Sequence, residues 1–379
     1  MPEPRAQSLE IDDRTRTRVV LVAPSLRQLI GGQEVQANVL FGNWQNDPAV
    51  YVSFVAKNAE LPFGIERIPY LRTLLRFPIY LATLALRMSN ADIAHIFSGA
   101  GSSFLISTFP AYGVAKIVGT KTVIHYHSPF LESHLRESQL ARTVLNNASC
   151  TAVPSAYLQG VLHNFQIPAK VIPNVMDLQR SRLSKSRPAE QFLLCTRNLE
   201  SRYGIDIVLR AFAQVQREFP DAQLCLVGTG PEEGSLRRLI AELNLHRVEM
   251  RGRVVHDEIV LLYQRNGLFV NASRADNMPV SIMEAFASGM PVVSTNAGGI
   301  SLMVEHEQTG LLCDTEDWRS LAANIIRLLR DTSLAARLAE NAYRQSESYT
   351  WRAVRDQWLN LYRDVLSPHV LQTVKRLNL

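Results

Sequence analysis

Two acidic residues flank the start of a predicted helix in the second half of the chain. The segment SRADNMPVSIMEAFASG places Asp276 in a loop after an apolar strand and Glu284 in the second turn of the following helix. Pro279 is typical of a first helical turn, where its missing N–H costs no hydrogen bond. Because helical side chains lean towards the N-terminus, both carboxylates are expected near the free N–H groups of that turn. Such an arrangement is suited to bind the hydroxyl groups of a sugar or a ribose.

A purely structural interpretation has equal weight from the spacing alone, with Asp276 capping the helix and Glu284 pairing with a neighbouring base. The segment also resembles the E-x7-E motif of family 4 glycosyltransferases, which are retaining enzymes of the GT-B fold. This resemblance covers about residues 18–366 and is most specific here, where SGMPVVSTNAGGI follows the motif. It implies that Glu284 holds the nucleotide ribose and that Asp276, an Asp in place of the family's first Glu, faces the transferred sugar. The loop between them supplies further donor-binding candidates: Asn277, Met278 and Pro279.

Two arginines follow the first predicted strand of the second half, in TRNLESRYGIDIVLRAF. The family uses an Arg and, five residues on, a Lys to hold the donor diphosphate. Arg197 matches the Arg, and Arg202 stands where the Lys is expected, with Gly204 one residue later than usual. A guanidinium keeps the charge and binds phosphate in a bidentate fork. A solitary loop arginine is otherwise more typical of a solvated surface.

Glycine turns mark two further candidate phosphate sites. Gly228 and Gly230 lie between a strand and a helix in LVGTGPEEG, which resembles the family's G-x-G-P turn. Read as a dinucleotide fingerprint, the same turn has its third glycine one position late. In the first half, Gly31 and Gly32 resemble the family's GG-x-E loop, where backbone amides and the helix dipole favour an anion. Glu34 in that first turn is also compatible with simple dipole compensation.

A histidine is the last candidate in the first half. KTVIHYHSPF ends a predicted strand with His125 and His127, and the family often places a His there, near the donor sugar and phosphate. His127, nearer the loop, matches that position best. A packed strand-end residue is the alternative. PNVMD (173–177) resembles the family's N-G-v-D segment, with Val175 in place of the Gly.

Apolar runs of strand length alternate with helix-length segments along both halves, which predicts parallel sheets covered on both faces. In the second half the predicted strands include ISLMVEH (300–306), and a helical series follows from Trp318 to Leu366. The predicted fold class is α/β, with two Rossmann-like doubly wound domains facing across a cleft, as in GT-B. The predicted divisions are a disordered tail (1–17), an acceptor-side domain (18–185), a donor-nucleotide domain (186–350) and a helix crossing back (351–379). The polar stretch 178–191 is the predicted linker.

Composition supports a globular chain of two cores, with 379 residues, 46% apolar and 20% charged. The four cysteines form no CxxC pair or zinc pattern, and Cys195 and Cys225 are expected to be buried thiols. No apolar leader opens the sequence, so a cytoplasmic location is expected. We predict no metal site, no cofactor and no nucleic-acid partner.

The net positive charge of the chain lies in the first half. Residues 1–185 hold 18 Lys and Arg against 12 Asp and Glu, which favours anionic partners. The basic, amphipathic segment 72–87 is expected to pack its apolar side into the first core. A membrane-surface helix, giving peripheral contact with an anionic inner membrane face, is the less favoured alternative.

The leading functional hypothesis is transfer of a hexosyl group from a UDP- or GDP-sugar to a glycan or lipid-linked acceptor. The resemblance implies that the anomeric configuration is retained. Three alternatives stay open: a sugar-nucleotide epimerase or hydrolase of the same fold, a nucleotide-dependent oxidoreductase using GTGPEEG, and a catalytically silent sugar-nucleotide-binding protein.

Overall fold

The structure, a computed structural model, describes residues 16–25, 31–57, 69–176, 191–265 and 267–367. The side chains of residues 69–75 and 256–257 lie outside this description. The predicted tail up to residue 15, and the predicted linker apart from Gln191, also lie outside the described residues.

Six strands of the first half form one sheet in the order β2-β1-β3-β4-β5-β6. The registers of β1 with β2 and β3, and of β5 with β6, are parallel, as the alternation predicts. Buried apolar side chains on both sides of β1 explain its continuous apolar run. The strands are β1 (Thr17–Ala23), β2 (Val50–Ala56), β3 (Ile93–Ser98), β4 (Lys121–Tyr126), β5 (Cys150–Val153) and β6 (Lys170–Val171).

Helices connect these strands. A short π-helix, Phe104–Thr108, leads directly into α3, which ends at Gly119 in the left-handed conformation. The α-helices of this half are α1 (Gly32–Gln45), α2 (Pro69–Met88), α3 (Phe109–Val118), α4 (Leu131–Glu137), α5 (Gln139–Asn147) and α6 (Ala156–Asn164).

Helix α2 is apolar on two faces. Its inner face buries Tyr80, Leu84 and Met88 against β1, β3 and α3, so the predicted packing into the first core is confirmed. Three apolar side chains of this helix stay exposed: Phe77, Ile79 and Leu86. Within the described part of the chain, no helix combines the length and apolarity needed to cross a bilayer.

The second sheet also has six strands, in the order β12-β11-β10-β7-β8-β9. Its pairings are parallel, which confirms the predicted doubly wound class. Read from β9, the order is that of a dinucleotide-binding sheet, and the winding reverses between β7 and β10. The strands are β7 (Phe192–Thr196), β8 (Gln223–Val227), β9 (Val248–Gly252), β10 (Leu268–Asn271), β11 (Val292–Thr295) and β12 (Leu311–Cys313).

Helices cover this sheet and continue to the end of the described chain. Helices α7 and α11 bury their apolar stripes in one core with β7 and β8, and α10 packs in another with β10. The α-helices are α7 (Ile205–Glu218), α8 (Glu233–Glu242), α9 (His256–Gln264), α10 (Val280–Ala287), α11 (Trp318–Arg330), α12 (Thr332–Ser346) and α13 (Trp351–Leu366), with 3₁₀ turns at Ser201–Tyr203, Gly298–Leu302 and Glu347–Tyr349.

The prediction of a strand over ISLMVEH was wrong. Its first residues complete the 3₁₀ turn Gly298–Leu302. The buried side chains are Ile300, Met303 and Val304, whereas Leu302 is exposed. Their spacing of three and four residues is the period of a helical turn rather than a strand.

The chain divides into two compact units, of which residues 1–125, 147–151 and 360–379 form the first, and residues 126–146 and 152–359 the second. The second sheet lies wholly within the second unit. Cys195 and Cys225 are buried free thiols, as predicted.

Candidate functional site

The strand order of the second sheet brings together the two loops that carry the predicted residues. β7 and β10 are neighbours, and the loop after β7 begins at Arg197 while the loop after β10 leads to Asp276. Connections leave these two strands on opposite faces of the sheet, which opens a crevice at their carboxyl ends. This reversal is where open α/β sheets bind their ligands.

Arg197 is the centre of this site. Its side chain is 9% exposed and forms an ion pair with the Asp276 carboxylate. The guanidinium also donates to the hydroxyls of Ser273 and Ser281, each at 3.1 Å. Its Nε is buried and makes no hydrogen bond within the described residues. Burial lowers the pKa of Arg197, but an arginine keeps its charge in such a setting.

An aromatic ring joins the two predicted arginines. The guanidinium carbons of Arg197 and Arg202 lie 4.4 Å and 4.6 Å from the centre of the Tyr203 ring. Such contacts orient a guanidinium and offset its desolvation. Arg202 is more exposed and contacts Glu200, with 2.9 Å between Nε and a carboxylate oxygen. Two cations therefore share one ring at the carboxyl end of β7.

The loop containing Asp276 is held by the turn that follows β11. The N–H of Gly299 donates to the Asp276 carbonyl at 3.1 Å. Gly298 has φ +54°, and a β-carbon there would collide with the same carbonyl oxygen. The NAGGI sequence that follows β11 therefore supports the acidic loop by close backbone approach.

The neighbouring loop residues are buried and serve as anchors. Asn277 is hydrogen-bonded to Ser155, and Asn174 donates to the Met278 carbonyl at 3.0 Å. Pro279 lies one residue before α10, as its N-cap, rather than inside the first turn as predicted. Helix α10 has no side-chain cap, so Asp276 pairs with Arg197 instead of capping the helix.

Glu284 lies in the second turn of α10, as predicted, and is partly buried. Burial raises the pKa of Glu284 to about 7, and a hydrogen bond from Tyr263 together with the charge of Arg197 offsets part of that effect. Both predicted acids therefore interact with the same guanidinium. Glu284 changes its ionisation close to neutral pH.

The glycine turn after β8 supports the arginine turn. β-Carbons at Gly228, where φ is +143°, and at Gly230 would collide with the carbonyl oxygens of Arg197 and Leu199. The Leu199 N–H also donates to the Thr229 carbonyl at 3.0 Å. The predicted close backbone approach is therefore made to the chain's own Arg197 turn.

Arg274, which sequence reasoning missed, joins the two loops. Its backbone N–H donates to the Arg202 carbonyl at 2.8 Å. Its guanidinium binds Asp206 in bidentate fashion, at 2.9 and 2.8 Å, and also contacts Glu316. The sequence did not reveal this role, because the partners of Arg274 lie in two other segments, around 202–206 and at Glu316.

The candidates of the first half lie at carboxyl ends of strands of the first sheet. Gly31 is the N-cap of α1, and Gly32 begins that helix. His127 directly follows β4. Their predicted roles stay predictions.

A lysine that sequence reasoning missed lies near the glycine turn of the first unit. Lys57 follows β2, and its ammonium group donates to the Phe97 carbonyl. Burial lowers the pKa of Lys57 to about 7, while the nearby charge of Glu34 opposes that change. Among the described residues, no group of three or more His, Cys, Asp and Glu side chains is arranged to hold a metal ion.

Two family models match consecutive parts of the chain. The model described as Glycosyltransferase Family 4 matches residues 18–180, and the model described as Glycosyl transferases group 1 matches residues 179–345. N-acetyl-alpha-D-glucosaminyl L-malate synthase of Bacillus anthracis is 27% identical over 320 residues, which cover 78% of this chain and 82% of that protein.

Solved structures share the fold at lower identity. Sucrose-phosphate synthase from Thermosynechococcus elongatus superposes with a TM-score of 0.72 at 21% identity, covering 92% of this chain and 99% of that one. The Anabaena protein HepE in complex with UDP-glucose gives a TM-score of 0.72 at 20% identity, covering 91% and 99%.

Proposed function

The chain belongs to the family 4 glycosyltransferases of the GT-B fold, and we propose that it transfers a hexosyl group from a UDP-sugar with retention of anomeric configuration. The observation that carries this proposal is the position of Arg197 at the reversal of the second sheet, paired with Asp276. Its buried Nε is a donor without an acceptor within the described residues, which suits an anionic ligand. HepE, of the same fold, was solved with UDP-glucose.

In the proposed mechanism, cations stabilise the diphosphate as the glycosidic bond breaks. Arg197 and Arg202, oriented by Tyr203, supply preorganised positive charge where the leaving group becomes negative. His127, which directly follows β4, acts near the donor sugar in this proposal. Glu284 accepts hydrogen bonds from the ribose hydroxyls. The leaving phosphate takes the proton of the acceptor hydroxyl as that oxygen attacks the same face of the sugar.

The acidic loop positions the transferred sugar. The Asp276 carboxylate accepts a hydrogen bond from a hydroxyl of that sugar while it stays paired with Arg197. Being one methylene shorter than glutamate, it keeps the carboxylate close to the guanidinium. The acceptor is a glycan or a lipid-linked sugar. The Bacillus relative is named for an N-acetylglucosaminyl group and for malate. A screen of donors and acceptors should therefore include UDP-N-acetylglucosamine and hydroxy acids.

Ligand-dependent thermal stability tests the donor assignment. A donor that binds only the folded chain raises the melting temperature, so UDP-, GDP- and ADP-sugars are compared at matched concentration. We expect a UDP-sugar to give the largest rise, and Glu284→Gln and Arg197→Ala to abolish it. Glu307→Gln, which changes an exposed acid paired with Arg327, is the matched control. Unchanged donor affinity in both site variants would contradict the assignment.

Product analysis separates the enzyme classes. Incubation with a donor and a candidate acceptor, followed by proton NMR of the anomeric signal, reports retention or inversion directly. Free sugar or an epimer formed from the donor alone would instead favour a hydrolase or an epimerase. Binding of NAD(P) in place of sugar nucleotides would favour an oxidoreductase.

We also propose peripheral contact between the first unit and an anionic membrane. Phe77, Ile79 and Leu86 of α2 are exposed, and Ile79 and Leu86 lie opposite the buried stripe of the helix, where they can contact a second apolar environment. The adjoining π-helix exposes Leu105 and Ile106. The excess of basic residues in the first half complements an anionic surface.

Vesicle co-sedimentation tests this contact. We expect binding to vesicles containing phosphatidylglycerol and weaker binding to neutral vesicles. Leu86→Glu should reduce the bound fraction, whereas Leu261→Glu, at a similarly exposed position of the second unit, should not. Equal binding by the two variants, or no binding by the unaltered chain, would argue against the proposal.

A further inference from the structure

The loop of residues 272–279, between β10 and α10, is bonded to residues from two distant segments of the second unit. Ser155 and Asn174 follow β5 and β6, and both are buried, with 9% and 5% of their surface exposed. They bond to the consecutive loop residues Asn277 and Met278, which directly follow Asp276. The loop that carries the acid is therefore held by side chains that lie more than 100 residues earlier in the chain.

Ser155 connects α6 to this loop through one hydroxyl group. Its Oγ accepts the Leu158 N–H at 3.3 Å as the N-cap of α6. A serine hydroxyl can accept and donate at once, and its proton goes to Oδ1 of Asn277. The backbone N–H of Asn277 in turn donates to Oδ1 of Asp276 at 2.8 Å. Ser155 therefore acts on the orientation of the Asp276 carboxylate through one intervening residue.

Asn174 makes two contacts with Met278. Its backbone N–H lies 3.4 Å from the Met278 sulfur, and its side-chain amide donates to the Met278 carbonyl at 3.0 Å. The amide oxygen of Asn174 is buried and makes no hydrogen bond within the described residues. A buried oxygen without a donor destabilises the folded chain, so the amide at this position is explained by the N–H that it gives to the loop.

The turn after β11 supplies a third attachment. The Gly299 N–H donates to the Asp276 carbonyl, and a β-carbon at Gly299 would collide with the Asn277 carbonyl. Asp276, Asn277 and Met278 are thus each bonded to a different segment. Such a loop holds its carboxylate in place before a ligand arrives, which is the preorganisation that a reacting sugar requires.

We propose that Ser155 and Asn174 are positioning residues that hold this loop so that Asp276 meets the transferred sugar. The proposal rests on the proposed function of Asp276 as a ligand of that sugar. Arg197 is held in addition by two serine hydroxyls, so the diphosphate cation has supports that do not involve these anchors. Loss of an anchor should therefore weaken the binding of the sugar more than the binding of UDP.

Calorimetric titration with UDP, UDP-glucose and UDP-N-acetylglucosamine separates the two contributions. In Ser155→Ala and in Asn174→Ala, the ratio of the Kd for the better sugar nucleotide to the Kd for UDP should rise about threefold to tenfold. Ser155→Thr keeps a hydroxyl and should restore the ratio. Asn277→Ala removes the same bond from the side of the loop and leaves the cap of α6 intact, so it replaces Ser155→Ala if that variant does not fold.

Two residues of α11 provide matched controls. Asp317→Ala removes another N-cap of the second unit, whose carboxylate accepts the Ser320 N–H at 3.0 Å. Asn324→Ala removes another side-chain amide that donates to a backbone carbonyl, that of Leu312 at 3.2 Å. Both controls should leave the ratio of the two dissociation constants as it is in the unaltered chain. A general loss of stability would instead change all four variants alike.

Hydrogen exchange followed by mass spectrometry tests the anchors without any ligand. Peptides that cover residues 274–281 should exchange faster in Ser155→Ala and Asn174→Ala than in the unaltered chain, and the two α11 controls should not show this.

The outcomes distinguish this inference from the proposed function. An unchanged ratio in both anchor variants would overturn the inference, as would an equal loss of UDP and sugar-nucleotide binding or the same change in the controls. If no sugar nucleotide binds the unaltered chain, the proposed function fails. Hydrogen exchange then decides whether Ser155 and Asn174 hold the loop, and unchanged exchange in both variants would refute that role.

Discussion

The carboxyl edges of the two sheets each hold a partly or fully buried cation, but they hold it differently. In the second sheet, Arg197 is bound by Asp276 and two serine hydroxyls and stacks near Tyr203. In the first sheet, Lys57 donates to one carbonyl and has the charge of Glu34 nearby. Among the described residues, Arg197 is enclosed in a network, whereas Lys57 has one hydrogen bond and one nearby opposite charge.

This difference has a chemical consequence. An arginine stays charged when it is buried, so the second edge offers a positive field at every physiological pH. A lysine releases its proton when it is desolvated, and the pKa of Lys57, at about 7, places that change within the physiological range. A permanent cation suits the stabilisation of a leaving diphosphate. The carboxyl edge of the first sheet instead carries Lys57, whose charge changes with pH near neutrality.

Removal of the permanent cation should give the largest effect. Arg197→Ala leaves the Asp276 carboxylate buried without its partner, which costs roughly 3–5 kcal/mol of unfolding free energy. Donor binding should be lost as well. Urea denaturation and calorimetry measure the two effects. Arg327→Ala, which breaks an exposed pair, should cost less than about 1 kcal/mol, and an equal loss in both variants would refute the comparison.

Replacing a glycine should also destabilise the chain more at the carboxyl edge of the second sheet than at that of the first. Gly228→Ala forces a strained φ and a collision with the Arg197 carbonyl, so we expect a loss of about 2–3 kcal/mol. At Gly31, φ is −135° and the nearest obstacle is the flexible end of Glu34. Gly31→Ala should therefore cost little. Thermal denaturation of both variants measures the difference, and similar melting temperatures would contradict it.

The titration of Glu284, at the carboxyl edge of the second sheet, should make the free energy of unfolding depend on pH. Glu284 has a folded-state pKa of about 7, above its usual 4.5, so the folded chain binds its proton more tightly than the unfolded chain does. Stability therefore falls as pH rises from about 4.5 to 7, by about 2 kcal/mol for this group. Glu284→Gln should remove that part of the slope. Urea titrations at pH 5 and 8 measure it, and parallel curves for variant and parent would count against it.

The titration of Lys57 should change the free energy of unfolding least, and in the opposite direction to that of Glu284. Its folded-state pKa lies below the usual 10.5, so the unfolded chain binds the proton more tightly. Stability rises as pH increases from about 7 to 10.5, by about 1 kcal/mol, because a partly exposed lysine can turn its amine towards water. Lys57→Met should be the more stable form below pH 7 and lose this rise. A variant that is less stable at pH 6 would disprove the sign.

Much of the fold followed from the sequence because it depends on local patterns. Continuous apolar runs are expected of strands covered on both faces, and their alternation with helices predicted both parallel sheets. The loops after β7 and β10 were identified from the strands that precede them. ISLMVEH failed because four apolar residues in a short run are compatible with a strand or a helical turn.

In the candidate site too, local features could be predicted from the sequence and long-range contacts could not. The types and positions of Arg197, Asp276 and Glu284 were readable from residues adjacent in the sequence. The contacts that support this region were not, since Tyr263, which bonds Ser281, comes from a distant segment without a motif, and Arg274 finds its partners Asp206 and Glu316 far away in the sequence. The exposure of Ile79 and Leu86 in α2 was also hidden, because apolar periodicity does not tell which of two apolar faces is covered.

By itself, the sequence determined the class of each element and the loops that carry the chemistry, because burial periodicity and turn residues act over a few neighbours. Only the tertiary structure decided that Asp276 pairs with Arg197, that Tyr203 lies beside two guanidinium groups and that Tyr263 bonds Ser281. Such pairings depend on distances between residues far apart in the chain. Those distances are set when the strands pack side by side.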